Sequence, residues 1–151
     1  MILISHRGNL NGPSSENENR PEYIDIAIEL GFNVEIDVWY DGNDYFLGHD
    51  FPMYKISFEW LMKRKHVLWV HCKSVIALSK FYNLFIQGAT LNYFWHETDT
   101  ATLTSLGYIW AFPGKQPIDS SIAVMPEIEN DSLQKCIGVC SDFISNYYNY
   151  G

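Results

Sequence analysis

The sequence predicts an α/β fold: a compact, reduced TIM-type (β/α) barrel with seven or eight short strands and missing or shortened helices. Three observations lead there. Strand-like and helix-like runs alternate along the whole chain, which implies a mainly parallel sheet, open or closed into a barrel. At 151 residues the chain reads as a single domain, 1–151, with one core, whereas an ordinary eight-fold barrel needs roughly 200 residues or more. The stretch 113–121 carries no helical pattern, one place where length is saved.

Each element has a local reason. Residues 2–5 form a short apolar strand, followed by a polar loop rich in Gly, Asn and Pro over 8–20. Pro21 opens a helix that Gly31 closes, with Ile24, Ala27 and Ile28 on one side. Residues 33–39 are the second strand, and the Asp41-Gly42-Asn43-Asp44 turn returns it as a short strand over 45–48. Ser57 is placed to cap a helix over 58–65, and 67–71 is the third main strand. The clearest helix is 75–87, preceded by Ser74, stopped by Gly88 and striped by Leu78, Phe81, Tyr82 and Phe85. Strands are expected over 91–96, 108–112, 122–125 and 139–141, a short helix over 101–106, a helical turn over 133–137, and a surface-packed tail from 145.

Composition narrows the function. The formal charge of −8 repels a phosphate backbone at long range, so a nucleic-acid partner is not expected; a small phosphorylated ligand is still allowed where a few cations and a metal reverse the sign locally. Cys72, Cys136 and Cys140 form neither a paired framework nor a zinc-ligand spacing, so they are read as reduced thiols. No run approaches the roughly 20 apolar residues of a membrane span, and residues 1–5 are too short for a signal core; the expected setting is the cytoplasm, without stable membrane anchoring. Shortened outer helices would leave apolar surface, so the chain is expected as a monomer or a homodimer.

The candidate chemistry comes from strand faces. In the second strand Val34, Ile36 and Val38 share one side, while Glu35 and Asp37 share the other. Helices cover the apolar side, so both carboxylates project inward. Two adjacent buried like charges need something positive between them, either Arg or Lys or a hard cation with oxygen ligands. In the third strand Trp69, His71 and Lys73 face the same interior, and His71 and Lys73 emerge at the C-terminal edge. His6 and Arg7 end the first strand at that level, His96 ends the fourth, and Glu127 ends the sixth on the face of Ala123 and Met125. A lone histidine is more often structural, but His6, His49, His71 and His96 all fall at or just after strand ends, while His66 follows a basic run at a helix end. Trp39, Tyr40, Phe51, Tyr54 and Trp110 are available either to the core or to an apolar substrate pocket.

These motifs, His6-Arg7-Gly8, Glu16-Asn17, Glu35-Ile36-Asp37, Gly48-His49-Asp50 and Lys73, resemble in order and spacing the glycerophosphodiester phosphodiesterase family and its wider phosphatidylinositol phospholipase C-like superfamily. The segment Gly138-Val139-Cys140-Ser141-Asp142 resembles the last strand of those enzymes more loosely, and residues 90–130 match little in them. The resemblance implies a metal-dependent phosphoric diester hydrolase acting on a small glycerophosphodiester-like substrate. Glu35 and Asp37 would ligate a divalent metal, magnesium or calcium; His6 and His49 would be the acid/base pair; Arg7 and Lys73 would bind phosphate oxygens. Glu16, Asn17 and Asp50 would support the site, and His96, from its place at a strand end rather than from the resemblance, is expected beside them. One position departs from the pattern: His71 stands where the family places a third carboxylate. Either His71 ligates directly, which favours manganese or zinc, or Glu127 supplies the missing carboxylate. The alternatives are a sphingomyelinase D-like or phospholipase-like activity, and a non-catalytic phosphate-binding module.

Overall fold

The computed structural model describes residues 1–150. Ten strands form one mixed sheet: β1 (Ile2–His6), β2 (Asn33–Tyr40), β3 (Tyr45–Leu47), β4 (Tyr54–Ile56), β5 (Leu68–Cys72), β6 (Asn92–Phe94), β7 (Ala101–Leu103), β8 (Ile109–Ala111), β9 (Ser121–Val124) and β10 (Gly138–Ser141). The helices are α1 (Pro21–Glu29), α2 (Phe58–Arg64), α3 (Val75–Ile86) and a 3-10 helix, Ile144–Tyr150. No helix among the described residues is long and apolar enough to cross a membrane.

A parallel succession, β6-β5-β2-β1-β10-β9-β8, forms the body of the sheet, with β7 antiparallel on β8 and the β3–β4 hairpin antiparallel on the far end of β2. This corrects the expected barrel. The sheet is not closed, helices hold only 23% of the chain, and the molecule is mostly β. The reason lies between β6 and β8. A parallel crossover takes a dozen or more residues, usually with a helix, but here the chain is spent on β7, which folds back against β8. The free edge of β6 is satisfied by that connection instead: Ser105 N donates to the Tyr93 carbonyl at 2.8 Å, Tyr93 N donates to Ser105 Oγ at 2.9 Å, and Thr102 Oγ1 donates to the Trp95 carbonyl at 2.9 Å. The backbone groups of β6 are thereby paired without a neighbouring strand.

The same region holds the other local corrections. Residues 101–106, expected as a helix, begin with β7, and the segment expected as a helical turn over 133–137 is a tight turn in which Cys136 N donates to the Leu133 carbonyl at 3.1 Å. Strand β4 was not expected. The helices of the first half stand as their caps suggest: Ser57 Oγ accepts from Trp60 N at 3.0 Å and Ser74 Oγ accepts from Ala77 N at 3.1 Å, each cap contributing about 1 kcal/mol.

The two faces of β2 and β5 part as their alternation requires. Val34, Ile36, Val38, Leu68 and Val70 pack outward under α1, α2 and α3, against Ile24, Ala27, Leu61, Ala77 and Phe81. The concave face is filled lower down by Ile4, Trp69, Phe94, Trp110, Ile122 and Cys140. Phe94 of β6 meets Trp110 of β8 with centroids 4.7 Å apart, and Trp69 lies 5.6 Å from Trp110. Side-chain packing therefore fills the interior although the two strands are not hydrogen-bonded to each other. Above this aromatic floor, at the C-terminal ends of the parallel strands, the polar residues gather.

Candidate functional site

Glu35 and Asp37 point from β2 into the concavity, 2% and 0% exposed. The β2–β5 register sets Asp37 beside His71, with His71 Nδ1 3.1 Å from Asp37 Oδ1 and 3.8 Å from Glu35 Oε1. One ligand atom from each of Glu35, Asp37 and His71 lies within 4.8 Å of the others, a buried cluster that could hold a metal ion.

Asp37 is the most heavily held group. Its Oδ2 is 2.9 Å from Arg7 Nε and accepts from Asn19 Nδ2 at 2.9 Å, while its own backbone N donates to Asn19 Oδ1 at 2.9 Å. Lys73 Nζ lies 3.4 Å from Oδ1. Burial alone would raise the Asp37 carboxyl, but His71, Arg7 and Lys73 outweigh it and hold it well below the usual carboxylate range. Glu35 goes the other way: burial and the neighbouring Asp37 charge raise it, with His6, Arg7 and His71 only partly offsetting them. Strand alternation thus delivers one firmly ionised carboxylate and one that lacks sufficient positive charge.

Whether a divalent metal fits can be judged from the unsatisfied atoms. Glu35 Oε2 and Asp37 Oδ1 are buried and without a hydrogen-bond partner; Asp37 Oδ1 has Lys73 Nζ at 3.4 Å, whereas Glu35 Oε2 has only His6 Nε2 at 3.8 Å, so a cation reaching both would relieve Glu35 above all. Four carboxylates, Glu18, Glu35, Asp37 and Asp142, also stand against two permanent cations, Arg7 and Lys73. The donor set of two carboxylates and one imidazole fits a divalent ion.

The cavity, about 390 Å³, is lined by Arg7, Glu35, Lys73 and four histidines, His6, His49, His71 and His96, of which His6 and His49 lie outside the cluster and its stacked ring. Each of these two is oriented by a carboxylate. His6 Nδ1 donates to Asp142 Oδ1 at 2.7 Å, which leaves Nε2 toward Glu35, 3.8 Å away. His49 Nδ1 donates to Asp50 Oδ1 at 2.7 Å in a much more exposed setting. Burial disfavours the charged form of His6, but the Asp142 hydrogen bond and the Glu35 charge prevail and raise its pKa above the ordinary value. The His49 loop is fixed from below: Trp39 Nε1 donates to the Gly48 carbonyl at 2.7 Å. Gly48 has φ +147°, and a Cβ there would collide with the Phe51 carbonyl oxygen, so a side chain at 48 would displace the loop.

The β1 exit is strained as well. Arg7 and Asn19 are non-glycine residues in the left-handed region, φ 55° and 62°, a conformation that persists only where its surroundings hold it. Arg7 N donates to the Glu35 carbonyl at 2.9 Å and Asn19 N donates to the Arg7 carbonyl at 3.0 Å. Arg7 Nη1 donates to Glu18 Oε2 at 3.1 Å, and Asn9 Nδ2 bridges Glu18 Oε1 at 2.9 Å and Asp142 Oδ1 at 2.7 Å.

Some expected residues lie elsewhere. Glu127 is not part of the cluster; its carboxylate accepts from Ser141 Oγ at 2.7 Å and Tyr147 OH at 3.0 Å. Glu16 is exposed and Asn17 donates to Ser14 Oγ. Their supporting places are taken by Glu18 and Asn19, the second copy of a tandem Glu-Asn repeat. His96 lines the cavity and stacks on His71, centroids 4.2 Å apart at 11°; burial first and the neighbouring His71 second lower its pKa to about 4. Of the aromatics, Trp110 reaches the cavity, Tyr40 and Tyr54 pack on the helix-side core and Phe51 is exposed. Asn9, Glu18, Asn19 and Asp142 were not singled out as site residues from sequence. The tandem repeat was the available signal for Glu18 and Asn19, and the carboxylate directly after β10 was the signal for Asp142.

Comparison with family models, with curated proteins and with solved structures returned no match.

Proposed function

We propose that this cavity belongs to a metal-dependent phosphodiester hydrolase acting on a small, glycerophosphodiester-like molecule. The observation that carries the reading is the convergence, in one cavity, of two carboxylate-oriented histidines with Arg7, Lys73 and the Glu35–Asp37–His71 cluster. Binding an anion alone needs no proton-transfer groups, and a non-phosphate hydrolase has little use for two inward cations.

In this reading Glu35, Asp37 and His71 hold the divalent ion, which when bound supplies Lewis acidity and neutralises charge growing on the phosphoryl oxygens. Lys73 and the Nη2 end of Arg7 grip non-bridging oxygens; Arg7 is already anchored through Nε and Nη1, so its remaining nitrogen is aimed without further ordering cost. One histidine takes a proton of the attacking water at Nε2 as the new P–O bond forms. The other gives its proton to the leaving alcohol oxygen as the old P–O bond breaks. Asp142 and Asp50 keep both rings in the tautomer that presents Nε2. Asn19 works through Asp37, fixing the oxygen that faces Arg7.

The test is hydrolysis of glycerophosphodiesters with Mg²⁺, Mn²⁺, Ca²⁺, Zn²⁺ or EDTA, followed by phosphorus NMR. Metal-dependent release of a phosphomonoester, lost in His6→Ala and His49→Ala, is the expected outcome. Tight binding of a phosphodiester by wild type with no turnover under any ion would replace the hydrolase reading by a binding module.

A further inference from the structure

We infer that the Glu35–Asp37–His71 centre selects a borderline first-row ion, manganese(II) or zinc(II), over magnesium and calcium, with His71 Nδ1 as the deciding ligand and His96 as the residue that positions it. The inference rests on the metal-assisted reading above and adds the class of ion and the residue that chooses it.

The orientation of the His71 ring is what carries it. Its Nε2 faces the backbone carbonyl oxygen of His96 at 3.4 Å, so Nε2 is the nitrogen placed to donate. A backbone carbonyl behind one ring nitrogen is the usual partner of a metal-bound histidine, and it leaves the other nitrogen as the ligand. That other nitrogen, Nδ1, faces Asp37 Oδ1 at 3.1 Å and Glu35 Oε1 at 3.8 Å. A cation seated between Nδ1 and those oxygens would take the place of the contact that Asp37 otherwise makes with the ring. The carboxylates carry a second, independent sign: Asp37 Oδ1 and Glu35 Oε2 are buried with no hydrogen-bond partner, on residues 0% and 2% exposed.

The ring cannot easily turn away. It is stacked on Phe94 at 5.2 Å and 7° and on His96 at 4.2 Å and 11°, and His96 is backed edge-on by Phe112 at 4.3 Å. His96 therefore holds the plane of His71 through ring contact and its Nε2 through the backbone carbonyl. Hard ions such as magnesium and calcium take oxygen ligands and keep water rather than imidazole. Manganese and zinc accept a mixed set of carboxylate and imidazole. An imidazole beside two carboxylates thus sets the ion preference of the centre.

The experiment titrates EDTA-stripped protein with each ion by calorimetry, follows bound Mn²⁺ by electron paramagnetic resonance, and uses the visible absorption of Co²⁺ as a stand-in for zinc. Wild type is expected to bind Mn²⁺ or Zn²⁺ at least about tenfold more tightly than Mg²⁺ or Ca²⁺, the order imposed by ligand type. His71→Asp reverses that order while keeping Mg²⁺ binding. His96→Ala weakens the preferred ion by about 10–100-fold, the usual cost of losing an outer-shell support, and His96→Phe, which restores the stack, recovers most of it. Equal or tighter Mg²⁺ binding by wild type, no bound ion at all, or an unchanged order in His71→Asp would each overturn the inference; if that variant does not fold, the His96 pair decides it. Ion binding with the expected order but no phosphodiester turnover leaves this inference standing and sinks the hydrolase reading alone.

Discussion

The two halves of the sheet are built differently. From β1 to α3 the long strands β2 and β5 are backed by α-helices, both of their faces are buried, and Arg7, Glu35, His71 and Lys73 emerge there beside the buried Asp37. From β6 to β10 the strands are three or four residues long and carry no α-helix between them. This half contributes an aromatic floor, Phe94 and Trp110, the cavity-lining His96 and Glu97, and Asp142, the carboxylate that holds His6. The difference shows how a chain of this length can still carry a site: helical cover is kept where charges must be held in fixed positions, and dropped where packing suffices. A barrel would need β6 sealed to a parallel neighbour; here side chains and one loop do that work.

The comparison can be broken most severely in the first half. Glu35→Ala or Asp37→Ala removes a ligand of the cluster, and activity is expected to fall about a thousandfold or more, the equivalent of several kcal/mol of charge stabilisation. Steady-state assay with circular dichroism to confirm folding checks it; loss confined to KM would contradict the ligand assignment. In the second half the matching change is Trp110→Ala. It empties the aromatic floor, with an expected cost of about 3–5 kcal/mol by denaturant unfolding, while the residual folded fraction retains metal binding. A cost under about 1 kcal/mol would show that the floor is not a core.

Asp142 joins the halves, and its ion pair with His6 has a definite pH signature. The His6 pKa is raised, so its contribution is full below its ordinary value near 6.5 and fades as pH climbs through the raised one. Burial notwithstanding, His6, Asn9 and Arg7 lower the Asp142 pKa, so its contribution is full above the ordinary value near 3.9 and fades as pH falls through the lowered one. The stability gap between wild type and Asp142→Asn is therefore expected to be widest between about pH 4 and 6.5, at about 1.5–3 kcal/mol for a charged hydrogen bond, and to narrow on both sides. A gap that widens as pH rises above 7 would show that the pair does not stabilise the fold. The smallest contrast is within the tandem repeat. Glu18→Ala leaves Arg7 and Asn9 short of an acceptor and is expected to cost about 1–3 kcal/mol, while Glu16→Ala stays within about 0.5 kcal/mol; the reverse order would restore Glu16 to the site.

How far the sequence was readable follows the same division. In the first half, Pro21, Ser57, Ser74 and Gly88 marked the helices, and the period-two alternation of β2 and β5 placed Glu35, Asp37, His71 and Lys73 on one interior face. These are local signals, and they survive because the local rule and the tertiary packing agree. In the second half, residues 101–106 lacked that support: Ala101–Leu103 became a strand because Ile109–Ala111 was there to pair with it, a long-range choice that overrides weak propensity. Closure failed to read for the same reason, since alternation of elements is common to open and closed sheets. The Glu-Asn repeat was ambiguous by construction. Only the turn geometry, with Asn19 at positive φ beside Asp37, selects the second copy, and Glu127, placed by strand parity alone, is claimed by Ser141 and Tyr147 instead.

The most direct measurement of the central claim, that His6 and His49 serve one phosphorus beside one metal, is a double-mutant cycle on hydrolysis of a glycerophosphodiester, whose alkyl alcohol must be protonated as it leaves, in the preferred ion. Each of His6→Ala and His49→Ala is expected to lose about 10²–10⁴-fold in kcat, and the double variant to be little worse than the poorer single one, because groups acting in one step are not additive. Full additivity, or wild-type rates in either single variant, would contradict it.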